Sequence, residues 1–235
     1  QGVSSAASDV YKRQAQAMPF LLKGLAFSLQ LTASSFLGGL VLGVALALVR
    51  HLRVPVLAPL ATGYVTLMRA IPLIMVLFWF FFLAPMLIMW VTGAPRPVPI
   101  GPVYTAFITF AMFEAAYYAE IIRAGLNAVP KGQYEACRAL SMSTAKSYWL
   151  VILPQVLRSV SPILLTQTII LFQDTALVYV LSITDLLGAA SKIAQRDSRL
   201  VELYLTVAAM YLVICAAASQ VVAYIRKRNT RAAHA

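Results

Sequence analysis

Charge is scarce in this chain. Only 11% of its 235 residues are Asp, Glu, Lys or Arg, against 61% hydrophobic, whereas a soluble domain carries about 25% charged residues. This scarcity argues against a soluble enzyme, a solvated disordered tail and a nucleic-acid-binding module, because too few polar side chains remain to cover a globule in water. Acidic residues are scarcer still: 8 Asp+Glu face 19 Lys+Arg, a formal charge of +11. In a chain this apolar, a basic excess belongs mostly to one side of a bilayer and implies no nucleic-acid partner. There are only two cysteines, Cys137 and Cys215, and they fit neither a disulfide framework nor a zinc cluster. A Gly-x-x-x-x-Gly-Lys-Ser/Thr loop is missing, so nucleotide phosphates have no such cradle here. No catalytic residue, metal or resident cofactor is expected.

In place of charge there are long uncharged runs, at residues 24–49, 70–95, 97–113, 159–173 and 203–225. A helix needs about 20 apolar residues to cross the hydrocarbon of a bilayer. The expected fold is therefore an all-α integral membrane protein with five transmembrane helices, near 22–49, 60–88, 101–122, 160–183 and 202–225. The second contains Arg69 and Pro72. Either a short interfacial helix ends at Arg69 before the span, or one tilted helix is kinked by the proline. Residues 1–14 are set apart: Asp9 to Gln14 read as a translated sequencing-library adapter, so this segment is expected to be non-native, the alternative being a polar native tail. The uncharged stretch after Lys23 is too long for a signal-peptide core. Residues 20–228 then form one membrane domain, and 229–235 a polar C-terminal tail.

The loops separate the two sides. One side carries Lys23, Arg96, Lys192, Arg196 and Arg199; the other carries eleven basic residues, among them Arg50, Arg53, Arg123, Lys131, Arg138, Lys146 and Arg158. The more basic side faces the cytoplasm, which predicts an external N-terminus and a cytoplasmic C-terminus.

The least ordinary segment is cytoplasmic, residues 123–159. Val129 to Gln133 reads as a breaker and Tyr134 to Leu140 as a short helix. Ser143 or Thr144 would cap a second helix through Trp149, and Pro154 would stop or kink it. Two such helices make either a socket for a cytosolic partner or a pair lying on the bilayer.

Glu135, Ala136 and Cys137, then Ser141, Val151, Leu153 and Pro154, resemble the Glu-Ala-Ala coupling loop of ATP-binding-cassette importer permeases, with the full spacing from Glu135 to Pro154. The flanking Phe113-Glu114-Ala115-Ala116-Tyr117-Tyr118-Ala119-Glu120, Arg69-Ala70-Ile71-Pro72-Leu73 and Gln173-Asp174-Thr175-Ala176-Leu177 are similar to the polar amino-acid subfamily, most of all to glutamate/aspartate-type permeases. The likeness covers residues 20–228, with the coupling loop at 130–158. It implies a cell inner membrane location, a second permease subunit (identical or different), a separate ATPase subunit that binds the ATP, and an extracytoplasmic solute-binding protein. Two positions depart from the motif. Cys137 replaces Ala, and Ser141 replaces a Gly suited to the left-handed turn after a helix, where Ser costs about 1 kcal/mol; either the turn is tighter here or that cost is tolerated.

Polar groups at membrane depth are the default site candidates. Here they are Arg69, Glu114, Gln167, Gln173, Asp174 and Thr175. Arg69 and Glu114 are expected either to pair or to serve substrate. Asp174 is a candidate for the substrate ammonium or a structural contact, with a carboxylate left to Arg69 or another basic residue. Glu120 is expected near the cytoplasmic interface, and Tyr117 and Tyr118 in packing. Lys192, Arg196 and Asp197 dock a binding protein or form a solvated face. Two other classes compete: a self-sufficient carrier or channel, for which no inverted repeat is visible, and a membrane anchor for a signalling assembly. Neither needs a cytoplasmic loop of that form.

Overall fold

The computed structural model describes residues 2–233 in backbone and 17–229 in side chains. The expected non-native segment 1–14 and all but the first residue of the 229–235 tail lie outside the residues with described side chains. Eight helical elements follow one another among the described residues. They are α1 (Gly2–His51), α2 (Leu57–Ala70), α3 (Leu73–Thr92), α4 (Pro102–Ala128), α5 (Lys131–Ala139), α6 (Thr144–Leu181), α7 (Leu186–Asp197) and α8 (Leu200–Ala233). No strand occurs among the described residues. Among the described residues, five stretches are long and apolar enough to cross a membrane: Ala17–His51, α3, α4, α6 and Leu200–Asn229.

The ambiguity at Pro72 resolves as a break. Proline disfavours helical backbone in the residue before it, and Ile71 is extended (φ −112°, ψ 137°). The 14 residues of α2 span about 21 Å at 1.5 Å per residue, short of a crossing. Arg69 sits in its last turn. The second span is therefore Leu73–Thr92 rather than 60–88.

Two other prolines are absorbed without a break. Just before Pro85, the Ala84 N–H bonds the Trp79 carbonyl; just before Pro154, the Leu153 N–H bonds the Tyr148 carbonyl. Each is a five-residue step, a single π turn over Trp79–Leu83 and over Tyr148–Ile152. Proline removes a donor and crowds the carbonyl four residues back; the wider turn accommodates both defects. Of the two outcomes expected at Pro154, a stop is therefore ruled out: the helix continues past it. The second half of the 130–158 segment is continuous with the fourth long apolar helix, Thr144–Leu181; its 38 residues reach about 57 Å, more than one crossing needs, and the span expected near 160–183 is its second part.

The bundle is centred on α4, the most buried of the spans, and α1 lies along it. Gly39 and Gly43 of α1, four residues apart, let the backbones approach closely: a Cβ on Gly39 would lie 3.1 Å from that of Glu114. One core gathers Leu31, Val65, Leu77, Phe110 and Leu171; a second, at the other end of α4, gathers Tyr118, Ile122, Leu126, Ile152 and Val156. A third joins α7 to α1 and α8 through Leu21, Leu186, Ala189 and Val207. The exposed faces of α3 and α8 stay apolar, with Trp90, Val91, Leu212 and Val213 uncovered, as lipid-facing surface does.

Candidate functional site

The 130–158 segment is built from local rules. Helix α5 begins at Lys131, earlier than expected, after Pro130 as N-cap. It buries Cys137 and turns Glu135 and Ala136 outward. The Tyr134 hydroxyl donates to the Leu126 carbonyl (3.1 Å), and burial pushes that hydroxyl's pKa up to about 12. The ring stacks on His51, whose Nδ1 meets Asn127 Oδ1 at 3.1 Å. The end of α1, the end of α4 and α5 are thereby tied together.

Ser141 does adopt the left-handed conformation, φ 52°. The Ser141 N–H bonds the Arg138 carbonyl (2.9 Å) and the Met142 N–H bonds the Cys137 carbonyl (3.1 Å). These are the paired bonds of a Schellman turn, which offset the strain of a non-glycine residue there. Ser143 then caps α6, its Oγ accepting from the Lys146 N–H. Val151 is half-buried, Leu153 buried and Pro154 exposed. The apolar residues this arrangement uncovers are Leu140, Trp149 and Leu150, respectively 75%, 63% and 69% exposed.

The intramembrane polar residues divide into two groups. Glu114 of α4 is 1% exposed. Gln167 of α6 donates from Nε2 to Glu114 Oε1 (3.4 Å), while Glu114 Oε2 has no hydrogen-bond partner among the described residues. Asp174 lies seven residues beyond Gln167, two turns or about 10 Å along the same face, near enough to act electrostatically on Glu114 and Tyr117. Its carboxylate is half-buried and makes no ion pair among the described residues. Gln173 and Thr175 do not join them. Gln173 Nε2 turns to Cys215 Sγ on α8 (3.6 Å), and Thr175 donates to the Phe172 carbonyl.

Arg69 does not pair with Glu114, which corrects one of its two expected roles. Its Nη1 stands 3.9 Å from Glu120 Oε2, and its guanidinium lies over the Tyr117 ring, 5.7 Å from the centroid. Glu114 and Glu120 are six residues apart, about 240° around a helix, so only one of them faces α2. A cleft of about 660 Å³ between α4 and α6 is lined by Arg69, Tyr117, Glu120, Ala124, Ser159 and Gln167. Tyr117 and Glu120 are thus wall residues of the cleft, which their sequence reading as packing and interface groups missed. The signal was available: Tyr117, Ile121, Ala124 and Ala128 recur at three- and four-residue steps. Among the described residues no cluster of His, Cys, Asp and Glu is arranged to hold a metal ion.

On α7 and the loop beside it, Lys192 donates to Thr184 Oγ1, and Arg196 forms a two-pronged pair with Asp197 at 2.8 and 2.9 Å.

Residues 39–231 match the family described as "Binding-protein-dependent transport system inner membrane component". The chain belongs to this family. It is a membrane permease subunit of an ATP-binding-cassette importer and lies among the amino-acid permeases. It is 43% identical to the glutamate/aspartate import permease protein GltK of Escherichia coli O6:H1 over 90% of this chain and 94% of that one. It is 34% identical to the L-cystine transport system permease protein TcyB of Bacillus subtilis, over 91% and 88%. Among solved structures it resembles an amino acid ABC transporter crystallised with histidines, with a TM-score of 0.78, 28% identity, and 92% of this chain and 96% of that chain covered. The methionine transporter MetNI, in inward-facing form, shares the fold at a TM-score of 0.68 and 19% identity, over 88% and 97%.

Proposed function

We propose that this chain forms the translocation path of an ATP-driven importer for glutamate, aspartate or a related polar amino acid. The observation that carries the coupling half of this reading is the α5–α6 junction. Glu135 and Ala136 face outward there beside exposed Leu140, Trp149 and Leu150, an apolar patch with a charged rim of the kind that docks a partner protein. An ATPase subunit occupies that surface. Its closure moves α5, and the tie from Tyr134 to Leu126 and His51 passes the movement to α4 and α1. ATP stays on the partner.

The substrate half rests on Glu114, Gln167 and Asp174. Two carboxylates and one amide line up without a basic partner among themselves, which suits an ammonium group. The likeness to GltK supports an acidic amino acid as the cargo. A second permease subunit closes the other side of the path. Eleven basic residues against five support an N-terminus outside and a C-terminus in the cytoplasm. Lys192, Arg196 and Asp197 then face outward, where a solute-binding protein docks.

The test of cargo is uptake by the reconstituted importer against a panel of unlabelled amino acids. Glutamate and aspartate are expected to compete best. Cystine or arginine competing more strongly than either would overturn the cargo assignment.

A further inference from the structure

We infer that the cluster around Glu120 is an anion-selecting station on the cleft wall, where Arg69 takes the side-chain carboxylate of an acidic amino acid. This rests on the import reading above and adds the residue that discriminates the substrate.

Three cations surround one anion. Glu120 Oε2 accepts from Arg50 Nη1 at 2.7 Å, and Glu120 Oε1 accepts from Arg123 Nη2. Arg50 also donates from Nε to Thr62 Oγ1 (3.2 Å), which ties α1 to α2. Both carboxylate oxygens are therefore engaged before Arg69 arrives. At 3.9 Å its Nη1 is an ion pair by distance but beyond hydrogen-bond reach. Arg123 Nε is buried with no hydrogen-bond partner among the described residues. Three arginines and one glutamate sum to +2.

An excess of this kind in a partly dry site is costly unless an anion enters it. Arg69 is the member able to receive one. Its side chain is 44% exposed against 11% for Arg50, it lines the cleft, and Tyr117 holds its guanidinium plane. A guanidinium recognises a carboxylate through two parallel hydrogen bonds. An amide in the same place gives up the charge assistance. The cleft volume of about 660 Å³ lies within the range of small-molecule sites. Glu120 is a positioning residue: it fixes Arg50 and Arg123 and leaves Arg69 facing the cleft.

The experiment is equilibrium binding of labelled L-glutamate and L-glutamine to the purified permease–ATPase assembly in nanodiscs, without binding protein. The wild type is expected to prefer glutamate by about tenfold to a hundredfold, the range for one charge-assisted hydrogen bond. Arg69→Gln is expected to bring that ratio close to one while leaving glutamine binding in place, which also shows that the variant is folded. Arg69→Lys keeps part of the preference, as a point charge without the fork. A wild type without glutamate preference overturns the inference, and so does a preference that survives Arg69→Gln. Discs of zwitterionic lipid are compared with discs rich in phosphatidylglycerol. A preference lost only in the anionic discs assigns Arg69 to a lipid phosphate and overturns it too. Glutamate uptake by the full importer is scored separately: uptake with an unchanged ratio in Arg69→Gln sinks the Arg69 assignment alone, whereas no glutamate uptake sinks the acidic cargo as well.

Discussion

Gly43 of α1 meets Tyr118 of α4 so closely that a Cβ on the glycine would stand 2.8 Å from the tyrosine Cβ and 3.1 Å from the Ala115 carbonyl oxygen. The Tyr118 ring is fully buried, and its hydroxyl bonds Thr168 Oγ1 of α6 at 3.1 Å, so the tyrosine has no room to withdraw. Gly43→Ala is expected to destabilise the bundle by about 1–3 kcal/mol through overpacking. The check is the melting temperature of the detergent-solubilised permease–ATPase assembly. Gly63→Ala is the neutral control, since an added methyl there would meet nothing within 4 Å.

Asp185 caps α7 with both oxygens, accepting from the Leu187 and Gly188 N–H groups at 3.1 and 2.9 Å. It is wholly buried, and burial pushes its pKa from 3.8 up to about 6 despite those bonds. A carboxyl raised in the folded state binds its proton more tightly there than in the unfolded chain. Its contribution to stability is therefore full below about pH 4 and is lost as pH rises through about 6. The loss is of order 3 kcal/mol, at about 1.36 kcal/mol per pH unit. Asp185→Asn keeps a good cap and removes the buried charge. Thermal melts between pH 4 and 7 are expected to lose most of this slope in the variant.

Glu135→Lys reverses a charge on the exposed face of α5 without touching a span. Membrane insertion is expected to be normal. Uptake is expected to be lost, and ATPase activity to stop responding to loaded binding protein. Wild-type uptake in this variant would mean that residues 134–154 do not couple the ATPase to the path.

Asp174→Asn keeps the shape of the side chain and removes its charge. If Asp174 holds the substrate ammonium, a charge-assisted hydrogen bond worth about 1.5–3 kcal/mol is lost, a tenfold to hundredfold fall in apparent affinity. The lack of an ion pair at Asp174 among the described residues favours this outcome over a structural role, in which assembly yield falls and the surviving transporters keep their affinity. Yield and transport both unchanged would remove Asp174 from either role.

Much of this fold was legible because uncharged length is a bilayer requirement that each span must meet alone. Ser143 was readable as a cap for the same local reason. The mistakes came where one local rule met another. Pro154 signals a stop, but a π turn at Tyr148–Ile152 carries the helix past it. At Ser141 the sequence leaves open a tighter turn or a tolerated cost, and two backbone bonds hold the left-handed conformation. The partner of Arg69 was not readable, since Glu114 and Glu120 share a helix and only packing decides which faces α2. The cleft depends on the approach of α6 to α4, and Gly125 permits it: a Cβ there would lie 2.6 Å from Val160 Cγ1. A single glycine in a span does not announce that contact.

The central claim is that this chain moves its cargo only when a separate ATPase drives it. The most direct measurement is uptake of labelled glutamate into proteoliposomes holding the permease pair, with and without the ATPase subunit, each with loaded binding protein outside and ATP inside. Uptake is predicted only with the ATPase present, and it should stop when a non-hydrolysable analogue replaces ATP. Uptake by the permease pair alone, indifferent to ATP, would contradict the account and make the chain a self-sufficient carrier.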